Sequence, residues 1–326
     1  MRVVVLPGDG IGPEVAREAV RALRVLAPQV ELDARPFGGA AIRESGDPLP
    51  AETLAACRAS DGVLKAPIGD PAFDEADVRP EHGMLGLRSA LDVYANLRPA
   101  REGNIDLLIV RELVGGLYYG ARGVREDGTV FDTLEYHPSE VERVARRAFE
   151  LARSRRGQLT SVDKANVLDT SRMWRRVVGE VAGDYPDVEV GHMLVDNAAM
   201  QLASRPEQFD VLVMENTFGD ILSDLAAAVT GGLGLAPSAS LGDNRPGIFE
   251  PVHGSAPDIA GSGTANPAAM LRSTALLLEH ALAMPAEARR LEQAVEGAMR
   301  ERPTADLGGK ATTTEFGAAV LEQLSG

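Results

Sequence analysis

The sequence predicts an α/β fold with two lobes, and three observations carry that expectation. Short β-branched runs alternate with amphipathic helical stretches along the whole chain. Its 326 residues are enough to build two hydrophobic cores. The glycines after the first strand miss the dinucleotide-binding spacing, which argues against a Rossmann domain.

Residues 3–6 read as a buried strand and 13–26 as a helix, with Pro13 in the first turn where its missing N–H costs nothing. Between them, Gly8-Asp9-Gly10-Ile11-Gly12 brings its third glycine one residue early for G-x-G-x-x-G. A tight strand-to-helix turn accounts for these glycines. Further strands are expected at 62–64, 107–110, 159–162, 188–190 and 211–214. Helices are expected near 140–154, 171–182, 220–229, 267–282 and 286–300. The Gly- and aromatic-rich stretch 115–133 has no helical period and reads as an extended arm. Gly231-Gly232-Leu233-Gly234 and Gly261-Ser262-Gly263 mark loops.

The bulk composition excludes several classes. A net charge of −15 argues against a general nucleic-acid binder, which needs a positive surface. No apolar run approaches the ~18 residues of a membrane span, and residues 1–8 lack a signal-peptide layout. Cys57, the single cysteine, rules out an intrachain disulfide and any multi-cysteine zinc site. A cytoplasmic protein with no membrane or nucleic-acid partner is expected. Any small anionic substrate must then meet a local cationic cluster.

Asp220 and Asp224, in Phe218-Gly219-Asp220-Ile221-Leu222-Ser223-Asp224, lie four apart in a helical run and so share a face. Their repulsion is relieved by a cation between them, and Mg²⁺ or Mn²⁺ suits such oxygen donors. The alternative is a solvated acidic face. A cationic cluster is offered by Arg88 in a predicted helix, Arg98 after the strand-like 93–97, and Arg111 at the end of an apolar run. Strand-end arginines fork readily onto carboxylates. Lys164 ends another strand, and Asp196 follows Met193-Leu194-Val195 in the same way. Open α/β sheets place their ligands at such ends, and a lysine there beside carboxylates is a proton-transfer candidate. Residues 250–258 form a turn-rich loop whose small residues let a ligand approach the backbone.

Four motifs, GDGIGPEV from Gly8, SVDKANVL from Ser161, FGDILSD from Phe218 and EPVHGSAPDIAG from Glu250 with a following ANP, resemble the metal-dependent β-decarboxylating dehydrogenases. That family comprises the isocitrate, isopropylmalate, homoisocitrate and tartrate enzymes, and the resemblance spans nearly the whole chain. It implies a two-lobed fold that is not Rossmann, with the active site in the interlobe cleft. Residues 1–93 and 231–326 would form a large, NAD-binding lobe, and 94–230 a small lobe for dimerisation and the metal and substrate. The resemblance further implies a homodimer, alone or paired into a dimer of dimers, whose subunits share each site. Asp220 and Asp224 would ligate Mg²⁺ or Mn²⁺ with Asp196 of the partner subunit. Arg88, Arg98 and Arg111 would hold substrate carboxylates, Lys164 of the partner subunit would act as base and Tyr118 as the acid that protonates carbon. Ile11, His253, Gly254, Ser255, Ala256, Asp258, Ile259, Asn266 and Asp306 would bind the cofactor. Asp258-Ile259 implies NAD, since a carboxylate accepts from the ribose 2′-hydroxyl and repels a 2′-phosphate.

Within the family, the stretch from Glu81 through Met84 and Leu85 to Arg88 meets the variable group of the substrate. Met84 and Leu85 offer an apolar surface suited to an isopropyl group, whose burial is worth about 1.5–3 kcal/mol. A carboxylate there would go unpaired. The isopropylmalate branch is therefore expected. Lys65-Ala66-Pro67-Ile68 leans toward the isocitrate pattern, and Val195-Asp196-Asn197 resembles homoisocitrate enzymes. Homoisocitrate, isocitrate and D-malate or tartrate types thus remain alternatives, with a non-catalytic regulatory subunit behind them.

Overall fold

The computed structural model describes residues 1–244 and 246–325; Arg245 and Gly326, both within the stretch 231–326, lie outside them. The chain divides into two compact units. One is Val93–Gly232; the other is built from both chain ends, Met1–Asp92 and the stretch from Leu233 onward.

The first unit opens with β1 (Arg2–Leu6), α1 (Gly12–Leu26) and β2 (Glu31–Ala34), then the short helices α2 (Gly39–Ser45) and α3 (Ala51–Arg58). β3 (Gly62–Lys65) and α4 (Pro80–Ala90) follow. α1 buries Val15, Ala16, Ala19, Ala22, Leu23 and Leu26, a stripe at helical spacing.

The second unit begins with β4 (Ala95–Glu102) and β5 (Ile105–Glu112), continues through the hairpin β6 (Arg122–Val124) and β7 (Val130–Asp132), and reaches α5 (Pro138–Arg153). Then come β8 (Gln158–Asp163), α6 (Asp169–Ala182), β9 (Glu189–Leu194), α7 (Val195–Ser204), β10 (Val211–Met214) and α8 (Asn216–Val229). Its strands lie in the order β4-β5-β10-β8-β9. All neighbours are parallel except the antiparallel pair β4 and β5. Leu107, Ile109, Val162, Leu212 and Met214 from the strands pack with Ala198, Leu202, Leu222 and Ala226 from α7 and α8.

The chain then re-enters the first unit through β11 (Pro237–Leu241), β12 (Gly247–Pro251), α9 (Ala268–His280), α10 (Pro285–Glu301) and α11 (Thr313–Ser325). The strand order in this unit is β2-β1-β3-β12-β11, parallel apart from β11 against β12. β1, β3 and β12 therefore end at one edge, and backbone hydrogen bonds stitch their loops together. Asp9 N–H donates to Pro67 O at 2.9 Å and Ile11 N–H to Ser255 O at 2.8 Å. Gly10 makes the second bond possible: its φ is 57°, and a Cβ there would lie 2.1 Å from Ser255 O.

Three local expectations change. β4 runs past the strand-like 93–97 to Glu102, so Arg98 sits inside a strand and not after one. Proline and charges mask the β signal there, but pairing with β5 over Ala95–Glu102 supplies the ladder. The stretch 115–133 is not one extended arm: it starts with a 3-10 turn at Gly116–Tyr118 and ends in the β6–β7 hairpin. Glu250 belongs to β12 rather than to the loop that follows.

Gly219 lies on the buried face of α8, where a Cβ would meet Arg111 Cγ at 2.5 Å and Cβ at 2.7 Å. Those atoms are the stem of a buried arginine and cannot swing aside. Gly219→Ala is expected to destabilise the protein by roughly 1–3 kcal/mol through overpacking; an unchanged denaturation midpoint would refute this contact.

Candidate active site

In the second unit the parallel strands β5, β10, β8 and β9 deliver their C-terminal ends to one edge. Arg111, Glu215, Lys164 and Asp196 stand at those ends. β5 carries Arg111, 2% exposed, whose guanidinium bonds Asn216 Oδ1 through Nε at 2.9 Å and Nη2 at 2.7 Å and pairs with Asp220 through Nη1. β4 carries Arg98, which reaches Asp220 at 3.4 Å, Asp224 at 3.2 Å and Ser223 Oγ at 2.7 Å. Asn96 Oδ1 accepts from Arg98 Nε at 2.8 Å and fixes its direction.

Asp220 and Asp224 sit on the second and third turns of α8, because the helix begins at Asn216, not at Asp220. They flank its buried face, and the guanidinium of Arg98 reaches both carboxylates. Asp220 also accepts a hydrogen bond from the Tyr118 hydroxyl at 3.0 Å. Partial burial, followed by the charge of Asp220, raises the Tyr118 pKa and keeps the phenol protonated. Burial raises the pKa of Asp224 as well, against the opposing charge of Arg98. Lys164 pairs with Asp196 in the first turn of α7, and that hydrogen bond lowers the Asp196 pKa.

Two carboxylates on one helix face supply hard oxygen donors of the type Mg²⁺ and Mn²⁺ take. Among the described residues, no three His, Cys, Asp or Glu side chains group to hold a metal. The donor set therefore fits a divalent cation while leaving coordination positions for other ligands.

In the first unit, Arg88 on α4 donates to Glu250 Oε1 at 3.2 Å. Glu250 Oε2 meets Lys65, at the end of β3, at 2.7 Å, and Lys65 also donates to Ala66 O at 3.1 Å. Burial alone would raise the Glu250 pKa, but Lys65 and then Arg88 overcome it and hold the carboxylate at about 2. Burial depresses the Lys65 pKa, with Glu250 opposing. Arg88 Nε is buried without a hydrogen-bond partner, a donor left for a ligand. Met84 on the same helix is buried, Leu85 half-buried and Glu81 exposed.

The loop after β12 is shaped for close approach of a ligand. Ala256 adopts a left-handed φ of 40°, Asp258 and Ile259 lie exposed on the 3-10 turn Pro257–Ile259, and His253 Nε2 is buried without a partner. Ser255 is buried, Gly254 exposed, and Ile11 joins this loop through its backbone. Asn266 donates to Asp306 at 2.9 Å, and Thr304 bonds the other oxygen of that carboxylate. An orphaned imidazole nitrogen beside exposed backbone fits a polar cofactor.

The sequence reading missed several supporting residues. Asn216, Ser223 and Asn96 orient the arginines, Lys65 shares Glu250 with Arg88, and Glu112, Tyr136 and Glu215 lie behind Arg111. The only available signal was polar residues placed where apolar runs stop.

Comparison with known proteins finds relatives over nearly the whole chain. Residues 2–320 match the family described as isocitrate/isopropylmalate dehydrogenase. A 3-isopropylmalate dehydrogenase of Zymomonas mobilis is 52% identical, with 100% of both chains covered. One of Halalkalibacterium halodurans is 50% identical over 92% of this chain and 90% of its own. Among solved structures, an isocitrate dehydrogenase of Methylococcus capsulatus superposes with a TM-score of 0.93 at 37% identity, covering 100% of this chain and 99% of that one. A beta-decarboxylating dehydrogenase of Thermococcus kodakarensis gives 0.86 at 39% identity, covering 99% and 96%.

Replacing Glu250 by Gln strands Lys65, 2% exposed, without a counter-charge, and is expected to cost roughly 3–5 kcal/mol. Since the Glu250 pKa is depressed, its stabilisation is present above the ordinary Glu value and lost as pH falls toward about 2. Chemical denaturation at neutral and acid pH tests both, and a Glu250→Gln protein with wild-type stability would refute the pairing.

Proposed function

Because the chain belongs to the isocitrate/isopropylmalate dehydrogenase family, we propose that it oxidises and decarboxylates 3-isopropylmalate to 2-oxo-4-methylpentanoate, with NAD and Mg²⁺ or Mn²⁺. Leucine biosynthesis requires this step. One observation carries the reaction class: Arg98, Arg111 and Tyr118 converge on Asp220 at the strand ends, bringing carboxylate grips and a protonated acid to one carboxylate. Identity of about 50% over the full chain to enzymes named for isopropylmalate favours that substrate, and Met84 and Leu85 favour its isopropyl group. We assign the enzyme to the cytoplasm, in keeping with the lack of any helix long and apolar enough to cross a membrane among the described residues.

Asp220 and Asp224 would hold the divalent cation, completed by Asp196 of the partner subunit in a homodimer. The loop from His253 to Ile259, with Ile11, Asn266 and Asp306, would hold NAD. When bound, the cation supplies Lewis acidity at the 2-hydroxyl and its adjacent carboxylate, and NAD supplies the hydride acceptor. Arg88, Arg98 and Arg111 bind and orient the two carboxylates, for which Arg98 and Arg111 exchange part of their present pairing with the aspartates. Lys164 of the partner subunit, released from its pairing with Asp196 there, takes the proton of the 2-hydroxyl. Oxidation leaves a carboxylate β to the new carbonyl, so CO₂ departs, and Tyr118 donates its proton to the carbon left behind. Asp258 favours NAD over NADP through the ribose 2′-hydroxyl.

An isocitrate-type activity is the second reading. Lys65 adds a buried cation beside Arg88 and Glu250, and a solved isocitrate dehydrogenase shares the fold at 37% identity. A third substrate carboxylate would still have to lie against Met84 and Leu85, at a desolvation cost.

Comparing kcat/KM for 3-isopropylmalate, homoisocitrate, isocitrate and D-malate, with NAD and Mg²⁺ or Mn²⁺, decides between them. The first acid is expected to lead, and preference for a tricarboxylate would overturn the assignment. Lys164→Ala and Tyr118→Phe are each expected to lower kcat by about 10²–10⁴-fold. NAD reduction surviving intact in Lys164→Ala would remove the lysine from the reaction.

A further inference from the structure

Behind Arg111 and the Tyr118 turn lies a buried acid cluster that the reaction above does not use. Tyr136 Oη is 3.1 Å from Glu112 Oε2 and 3.4 Å from Glu215 Oε2, and it accepts the Asn216 N–H at 3.0 Å. Glu112 is 0% exposed and Glu215 6%. A phenol has one proton to give and two lone pairs to fill. If both carboxylates were ionised, only one could receive that proton, and the other would face a lone pair of the phenol oxygen.

One extra proton resolves the conflict, and the geometry says where it sits. Glu215 caps α8, accepting Thr217 N–H at 3.0 Å and Phe218 N–H at 2.8 Å, so the helix N-terminus favours its charge. Burial raises the Glu215 pKa, but these two N–H donors, Tyr136 and Arg111 all act against it and favour the anion. Glu112 accepts Val114 N–H and Gly115 N–H, each at 3.0 Å, with no cationic hydrogen-bond partner among the described residues. A neutral Glu112 donates to Tyr136, which donates to the Glu215 anion and accepts from Asn216. Every donor then has an acceptor.

This chain ties together the parts that carry the reaction. Glu112 follows Arg111 on β5 and holds the backbone entering the Gly115-Gly116-Leu117-Tyr118 turn. Asn216, next to Glu215, accepts Arg111 and donates to Gly115 O at 2.9 Å. Tyr136 packs edge-on against Trp174, with ring centroids 5.8 Å apart, and fills the space above Gly116, where a Cβ would lie 2.4 Å from its oxygen. We propose that Glu112 is a positioning residue that carries a proton in the working enzyme, setting the direction of the Glu112–Tyr136–Glu215 chain and with it the placement of Arg111, Tyr118 and the start of α8.

The surrounding charges support the assignment. Glu215 lies beyond Tyr136, and Glu140 of α5 acts on Glu112 and raises its pKa. Asp163 of β8, which lines a small cavity with Tyr136, Trp174 and Glu215, is held by Arg175 at 2.8 Å. Burial, against the hydrogen bonds it accepts, lifts Glu112 to about 7. A raised carboxyl pKa means stability that is complete below the ordinary Glu value and lost as pH rises through neutrality.

Glu112→Gln tests the idea, because its amide donates to Tyr136 as the acid would but cannot ionise; it gives up one backbone acceptor. Midpoints of thermal unfolding and kcat/KM for 3-isopropylmalate with NAD and Mg²⁺ are followed from mildly acid to alkaline pH in both proteins. The wild type is expected to lose unfolding temperature relative to Glu112→Gln as pH passes neutrality, and its kcat/KM to fall several-fold relative to the variant over the same interval. A difference in unfolding temperature that stays constant with pH overturns the proton. A pH-dependent difference with a flat kcat/KM ratio overturns the positioning role. The activity arm rests on the function proposed above. If the wild type turns over none of the four acids while the unfolding difference behaves as expected, that function fails and the proton stands. Should Glu112→Gln not fold, the infrared carboxylic-acid C=O band of the wild type carries the test: present at mildly acid pH and lost at alkaline pH supports the proton, and unchanged across that range overturns it.

Discussion

Two aspartates one turn apart repel each other, and much of the second unit answers that constraint with cations. The side chains of Asp220 and Asp224 flank the buried face of α8. The cations must therefore come from the sheet itself. β4 and β5 each turn an arginine toward the helix, and Asn96, Asn216 and Ser223 aim the guanidiniums. The Arg111 stem then occupies the space beside α8, which is why residue 219 has no Cβ. Tyr118 adds a neutral donor to the most crowded carboxylate.

The first unit solves the inverse problem with the same parts. Here two cations, Lys65 and Arg88, share one carboxylate, and Glu250 sits between them at the end of β12. Its low pKa is the electrostatic expression of that surplus. A chain with a net charge of −15 thus places a local surplus of positive charge at the ends of β3 and β12. Helix dipoles and loop backbones at strand ends already favour anions. The proposed anionic substrate is met by local charge, not by the field of the whole protein.

How much was legible depended on whether the signal was local. The helix over 138–153 and the strand at 211–214 announced themselves by periodicity, since one face or the whole segment is buried. The motif FGDILSD exposed the aspartates because their spacing alone puts them on one face. β4 was read as too short: Arg98, Pro99, Arg101 and Glu102 carry no strand signal, and only pairing with β5 makes them one. Glu250 was read as loop for the same reason, although it ends a buried strand. The partners of the arginines were illegible. That Asn216 meets Arg111, 105 positions away, follows from β5 and β10 being neighbours, which no local pattern encodes.

Charge arithmetic links the proposed proton to the rest of the site. Around the start of α8 stand four acids, Glu112, Glu215, Asp220 and Asp224, and two permanent cations, Arg98 and Arg111. Fully ionised, these groups sum to −2; with Glu112 neutral they sum to −1. A divalent cation bound at the aspartates would turn −1 into +1, a balance that favours a dianionic substrate, whereas −2 would be brought only to neutrality. The neutral Glu112 therefore does more than complete a hydrogen-bond chain. It removes the one negative charge that faces neither an arginine nor a helix N-terminus, and so keeps the acids at the surface of the site answerable to the ligand instead of to one another.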